Sequence, residues 1–175
     1  DRFQALDGEL LNRTSRVMAA FRPAISYQSG VNLPNMRYMA IDVVRVKPGR
    51  VREFFESWRA TVEAHKTAKM DEHWAVYQVT AGQPDGTFFF MYAMKSLEEI
   101  DKAGPMHGDA AYRDAVGEGG RIRMNDMTIS AVDSSQRLVF ALNPNMSLLE
   151  KTWAEADSFW TPKPIPAAAT PAKKK

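Results

Sequence analysis

Residues 37–143 constrain this chain more than any other feature. They alternate strand, helix, strand, strand, helix, strand, and the strands are apolar on both faces. In the first strand, residues 37–46, Tyr38, Ala40, Asp42, Val44 and Val46 point one way. Met39, Ile41, Val43 and Arg45 point the other, because neighbouring strand side chains alternate. The third strand, residues 87–94, carries Phe88-Phe89-Phe90-Met91-Tyr92 and is apolar whichever way it faces. A sheet with one solvated face alternates apolar and polar residues. These strands do not, so the second face must also be covered, most simply by another copy of the chain.

The remaining elements follow from periodicity and punctuation. Val51, Phe54, Phe55, Trp58, Val62 and His65 form one stripe of a helix over residues 51–70, with Arg52, Glu56, Arg59, Glu63 and Lys66 on the rest of its surface. The second strand spans 72–81, and Gln83-Pro84-Asp85-Gly86 turns the chain into the third. A short helix over 97–103 precedes a second helical stretch over 109–133, in which Gly117, Gly119 and Gly120 predict a break. Residues 137–143 form the fourth strand. Upstream, Leu6, Leu10, Leu11, Val17, Met18 and Phe21 fall near helical spacing and predict a helix over 6–21, ended by Pro23. The chain thus divides into a helix and arm (1–36), an α+β domain (37–143), a docking segment holding Trp153, Phe159 and Trp160 (144–161), and a Pro/Ala/Lys tail (162–175).

Composition narrows the function. The 175 residues carry a formal net charge of +2 and no basic stripe interleaved with aromatics, so nucleic acid is not an expected partner. No apolar run is long enough to predict a membrane span. With no cysteine, thiolate chemistry, disulfides and thiolate metal sites are all excluded. The start at Asp1 and the Ala/Pro/Lys tail fit an exported protein, periplasmic or extracellular. No nucleophile elbow, phosphate loop or dinucleotide fingerprint occurs, and no His pair has metal-ligand spacing.

Asp42 is the most pointed oddity. A carboxylate in mid-strand among apolar residues costs several kcal/mol unless it is paired, on the usual scale for buried charge. It is held by a salt bridge, or it lies exposed at a strand end, or it faces a cavity with His73 and Tyr77 and orients a small apolar or aromatic ligand. Gln78 and Tyr77 are its cross-sheet candidates, and His107, in the loop after Gly104-Pro105, completes the set of pocket candidates. His65 lies on the apolar stripe of its helix and reads as a satisfied core histidine.

The strand-helix order of residues 37–143 is similar to the ferredoxin-like βαββαβ plait, an α+β fold with a four-stranded antiparallel sheet and both helices on one face. With its second face also apolar, the chain resembles the dimeric α+β barrel superfamily, in which two such sheets close on each other. The resemblance implies a homodimer or larger homomeric assembly of binding or assembly function. Its alternative is a small monooxygenase or haem-handling enzyme. That branch tends to carry an Asn on the first strand, a Trp on the third and a His on the second helix. Here Asp42, a run of phenylalanines and only roughly His107 stand in those places. No cofactor is otherwise expected. The segments Leu33-Pro34-Asn35-Met36-Arg37-Tyr38, Glu72-His73-Trp74-Ala75-Val76-Tyr77-Gln78 and Phe140-Ala141-Leu142-Asn143-Pro144-Asn145-Met146-Ser147 also resemble uncharacterised exported proteins of soil bacteria, which implies no activity.

Overall fold

A computed structural model of the chain describes residues 14–103 and 110–162. Its strands are β1 (Met18–Phe21), β2 (Tyr38–Val46), β3 (Ala75–Ala81), β4 (Thr87–Met94) and β5 (Val132–Ala141). Among the described residues the α-helices are α1 (Val51–Ala68), α2 (Glu98–Ala103), α3 (Ala110–Val116), α4 (Glu118–Ala131) and α5 (Lys151–Ala156). All five strands form one antiparallel sheet in the order β1-β3-β4-β2-β5.

This overturns the expected four-stranded ferredoxin-like plait. Met18–Phe21, read from its spacing as the end of a helix, is a fifth strand, with Ala19 opposite Val79 and Phe21 opposite Tyr77. Four residues of sequence Met-Ala-Ala-Phe hold too little periodicity to separate helix from strand. The free edge of β3 decides the matter by offering unpaired backbone groups. The pairing continues past the strand, where the Arg22 N–H donates to the Val76 carbonyl at 2.8 Å. Residues 1–13, the rest of that expected helix, lie outside the described residues, as do His107 and residues 163–175 of the tail.

One face of the sheet carries the core. Val44, Val46, Val76, Phe88 and Phe90 pack with Phe54 and Val62 of α1, and Ile25, Tyr27, Trp74 and Ala131 complete the cluster. The Phe54 ring lies 4.8 Å from that of Phe88, and Trp58 lies 4.3 Å from Phe90. Burying each such side chain is worth about 1.5–3 kcal/mol. The helix stripe expected over 51–70 is therefore the face that α1 buries. The helix ends at Lys69, whose left-handed backbone (φ 53°) lets the next N–H, of Met70, return to the His65 carbonyl at 3.0 Å. The break expected among the glycines of 117–120 falls at Gly117, at φ 68°, between α3 and α4.

Alternation puts the other half of each strand on the opposite face. Ile41 stands across from Met91 and Leu138, Val43 across from Phe89, and Met39 across from Phe140. These residues are half-buried or exposed; Phe21 retains 43% and Phe140 49% of its accessible surface. β5 is exposed along nearly its whole length, on both faces. No helix among the described residues is long and apolar enough to cross a membrane.

The C-terminal segment docks on its own chain. Trp160 is 3% exposed, and its indole N–H donates to the Pro34 carbonyl at 2.6 Å. Arg37 pairs with Asp157 and lies 4.1 Å over the Phe159 ring. Trp153 packs edge-on against Trp160 at 5.2 Å.

Candidate ligand-binding cleft

The arm between β1 and β2 is fastened at one end and forms a wall at the other. Tyr27 bridges to Trp74 through a pair of backbone hydrogen bonds, and its hydroxyl donates to the Met70 carbonyl at 3.0 Å. The Trp74 indole N–H donates to the Ile25 carbonyl at 2.8 Å, and Ser26 Oγ accepts from the Val76 N–H at 2.9 Å. These bonds satisfy buried polar groups that would otherwise cost about 1–3 kcal/mol each. Beyond Gln28 the arm lifts away from the sheet and encloses a cleft of about 910 Å³. The floor is Ala40 and Tyr92 of the sheet with Trp58 of α1 and Trp74. Met36 and Met94 flank it, and His73, Lys95 and Arg137 also reach it.

The register places Asp42 opposite Arg137 on β5. The guanidinium grips the carboxylate with both prongs, Nε to Oδ1 and Nη2 to Oδ2, each at 2.6 Å. This bidentate geometry is the strongest form of the pair. Asp42 is mostly shielded while Arg137 is half-exposed and lines the cleft. The hydrogen bond to Asp42 holds the Arg137 proton more firmly than usual. Arg137 also lies 5.6 Å over the Tyr92 ring. Burial, and then the nearby Asp42 charge, push the Tyr92 phenol well above its ordinary value, so it stays a neutral donor. No hydrogen-bond partner for the Tyr92 hydroxyl occurs among the described residues. The buried indole N–H of Trp58 likewise has none.

Behind the floor, His65 is fully buried. Its Nδ1 sits 2.7 Å from the Thr61 carbonyl, an acceptor, so that nitrogen carries a hydrogen. Its Nε2 then faces Glu72 Oε2 at 3.2 Å, and neither atom has another partner among the described residues. His65 is thus buried on the stripe of α1, as its spacing suggested, with Nδ1 paired and Nε2 lacking a hydrogen-bond partner among the described residues. The His65 ring packs on Trp74 at 4.8 Å and on Tyr112 at 5.0 Å.

The five pocket candidates separate. His73 lines the cleft, with Nε2 donating to the Ala93 carbonyl at 2.5 Å. Asp42 sits at its edge, bound to Arg137. Tyr77 is on the opposite face of the sheet, since it stands across from Phe89 while Asp42 stands across from the core residue Phe90. Its ring packs on Phe21 at 5.4 Å. Gln78 accepts from Arg22 Nε at 2.8 Å, away from the cleft. His107 lies outside the described residues. The three-residue cavity of Asp42, His73 and Tyr77 is therefore not assembled. Among the described residues, no group of three or more His, Asp or Glu side chains could hold a metal ion.

Sequence reasoning did not single out Arg137, Trp58 or Tyr92. A fourth strand begun at 137 puts Arg137 at its end, whereas β5 begins at Val132 and brings it level with the middle of β2. The usable signal was Asp42 itself, because a mid-strand carboxylate calls for a cation on the neighbouring strand. No protein-family model, no curated protein and no solved structure matches this chain.

Proposed function

We propose that the protein is an exported binding module that works as a homodimer or larger homomeric assembly, its subunits meeting over the helix-free face of the sheet. The observation that carries this reading is that Ile41, Val43, Phe89 and Met91 lie on a sheet face that no helix among the described residues fills. Five strands about 4.8 Å apart, averaging about eight residues that each rise about 3.3 Å, present roughly 600 Å² in projection. A stable interface buries about 800 Å² of accessible surface per partner, so the face is of the right order. A second sheet packed about 10 Å away would bury this layer and the exposed apolar side of β5. Export is supported by the composition of the tail.

Sedimentation equilibrium of the full chain at micromolar concentration tests this. The expected mass is twice that of the monomer or a higher multiple, and Ile41→Glu should halve it by placing a carboxylate in the apolar layer. A stable monomer for the unaltered chain removes the proposal. A haem titration followed in the Soret region addresses the enzymatic alternative, since a shifted band there would transfer the assignment to haem handling.

A further inference from the structure

We propose that the cleft between the arm and the helix-side face of the sheet binds a small aromatic carboxylate, its ring against Trp58, Trp74 and Tyr92 and its carboxylate on Arg137. This site goes beyond the assembly reading and needs only one copy of the chain. The shape fits a small organic molecule, since ligand cavities typically enclose about 300–1,000 Å³ and this one encloses about 910 Å³. The ring preference comes from the floor. The rings of Trp58, Trp74 and Tyr92 in the lining, with the thioethers of Met36 and Met94, favour a flat, polarisable partner.

The carboxylate preference comes from a count of donors against acceptors. A guanidinium has five N–H donors, and Asp42 takes two of them. The remainder belong to a residue that lines the cleft. The Tyr92 hydroxyl adds a donor with no partner among the described residues. The carboxylates that reach the cleft are otherwise engaged or peripheral. Glu99 accepts from the Lys95 and Ser96 N–H groups, Glu72 faces His65, and Asp71 is exposed. Arg137 and Tyr92 therefore leave donors that a ligand's oxygens can meet, beside the side-chain amides of Gln28, Asn32 and Asn35 in the lining. Asp42 orients the guanidinium, as a carboxylate behind an arginine does wherever planar anion recognition is needed. Lys95 adds a second positive charge to the lining.

Calorimetric titration of the full chain with 1-naphthoate, and with the uncharged 1-naphthamide of the same shape, tests the site. Naphthoate should bind saturably and at least about tenfold more tightly than the amide, the usual size of a charge-assisted hydrogen bond. Arg137→Gln should remove that difference. Because this variant strips Asp42 of its partner and could disturb the strand pair, Tyr92→Phe serves as the second arm. It keeps the ring, loses the donor and should weaken naphthoate severalfold. Binding should persist in Ile41→Glu, whose altered residue is on the other face, so loss of the dimer and loss of the site are told apart. No saturable heat at millimolar naphthoate, equal affinity for acid and amide, or unchanged affinity in both Arg137→Gln and Tyr92→Phe would each overturn the proposal.

Discussion

Replacing Gly82 by alanine tests whether Met18–Phe21 truly completes the sheet. Gly82 has φ +87°, and a Cβ there would stand 2.0 Å from the Arg16 carbonyl oxygen, 3.0 Å from its carbon and 3.1 Å from Val17 Cα. All three are backbone atoms, so no side chain can swing aside. Two costs follow. An L-residue held at positive φ costs about 1–2 kcal/mol. The clash then forces residues 16–17 to move, and β1 starts at the next residue. Releasing the four residues of β1 forfeits about 1 kcal/mol per ladder hydrogen bond. It also returns about 1 kcal/mol of backbone entropy per freed residue. Local detachment is thus cheaper than deforming the sheet. The expected result is a global loss of about 1–2 kcal/mol in urea unfolding followed by circular dichroism, with hydrogen exchange protection lost selectively at 18–21 and at the facing amides of β3. Gly49→Ala is the control, because Gly49 has φ +78° but open space around it. It should show the same global loss and leave β1 protected. If Gly82→Ala keeps wild-type protection at residues 18–21, the close approach of the two backbones, and with it the fifth strand, is refuted.

Trp160→Ala should release the C-terminal segment while leaving the sheet folded. Thermolysin should then cut between residues 144 and 160, while the thermal midpoint moves by only a few degrees; a full collapse of the sheet would contradict this. Acid should do the same through Asp157, whose carboxyl is held below its ordinary 3.8 first by the Arg37 hydrogen bond and then by the Phe159 N–H. Because the folded value is the lower one, this stabilisation is present above pH 3.8 and is lost as pH falls through the folded value. Near-ultraviolet dichroism of the Trp153–Trp160 pair should follow that loss, and Asp157→Asn should make the signal insensitive to acid. At the other extreme, the raised Tyr92 value means the folded chain holds a proton the unfolded chain gives up, so stability should fall as pH rises above 10.0. Tyr92→Phe should flatten part of that slope in alkaline urea titrations, and an unchanged slope would remove Tyr92 as its source.

Long periodic segments were legible from the sequence. The α1 stripe, the Asp85-Gly86 turn, the glycine break at 117 and the doubly apolar strands each rest on a repeat or a backbone preference that acts over a few neighbouring residues. Short or pairwise features were not. Met18–Phe21 is a strand because β3 has a free edge, and no local pattern of four residues could carry that. Asp42 announced a missing cation, yet Arg137 is 95 residues away, and only the register of β2 against β5 brings the two together. The same register sends Tyr77 to the far face and leaves Arg137, Tyr92 and Trp58 around one cleft. Periodicity is a property of consecutive residues and is written in the chain. Strand order, register and the cavity beneath the arm depend on which distant backbone groups find each other, and that is decided only when the whole sheet closes.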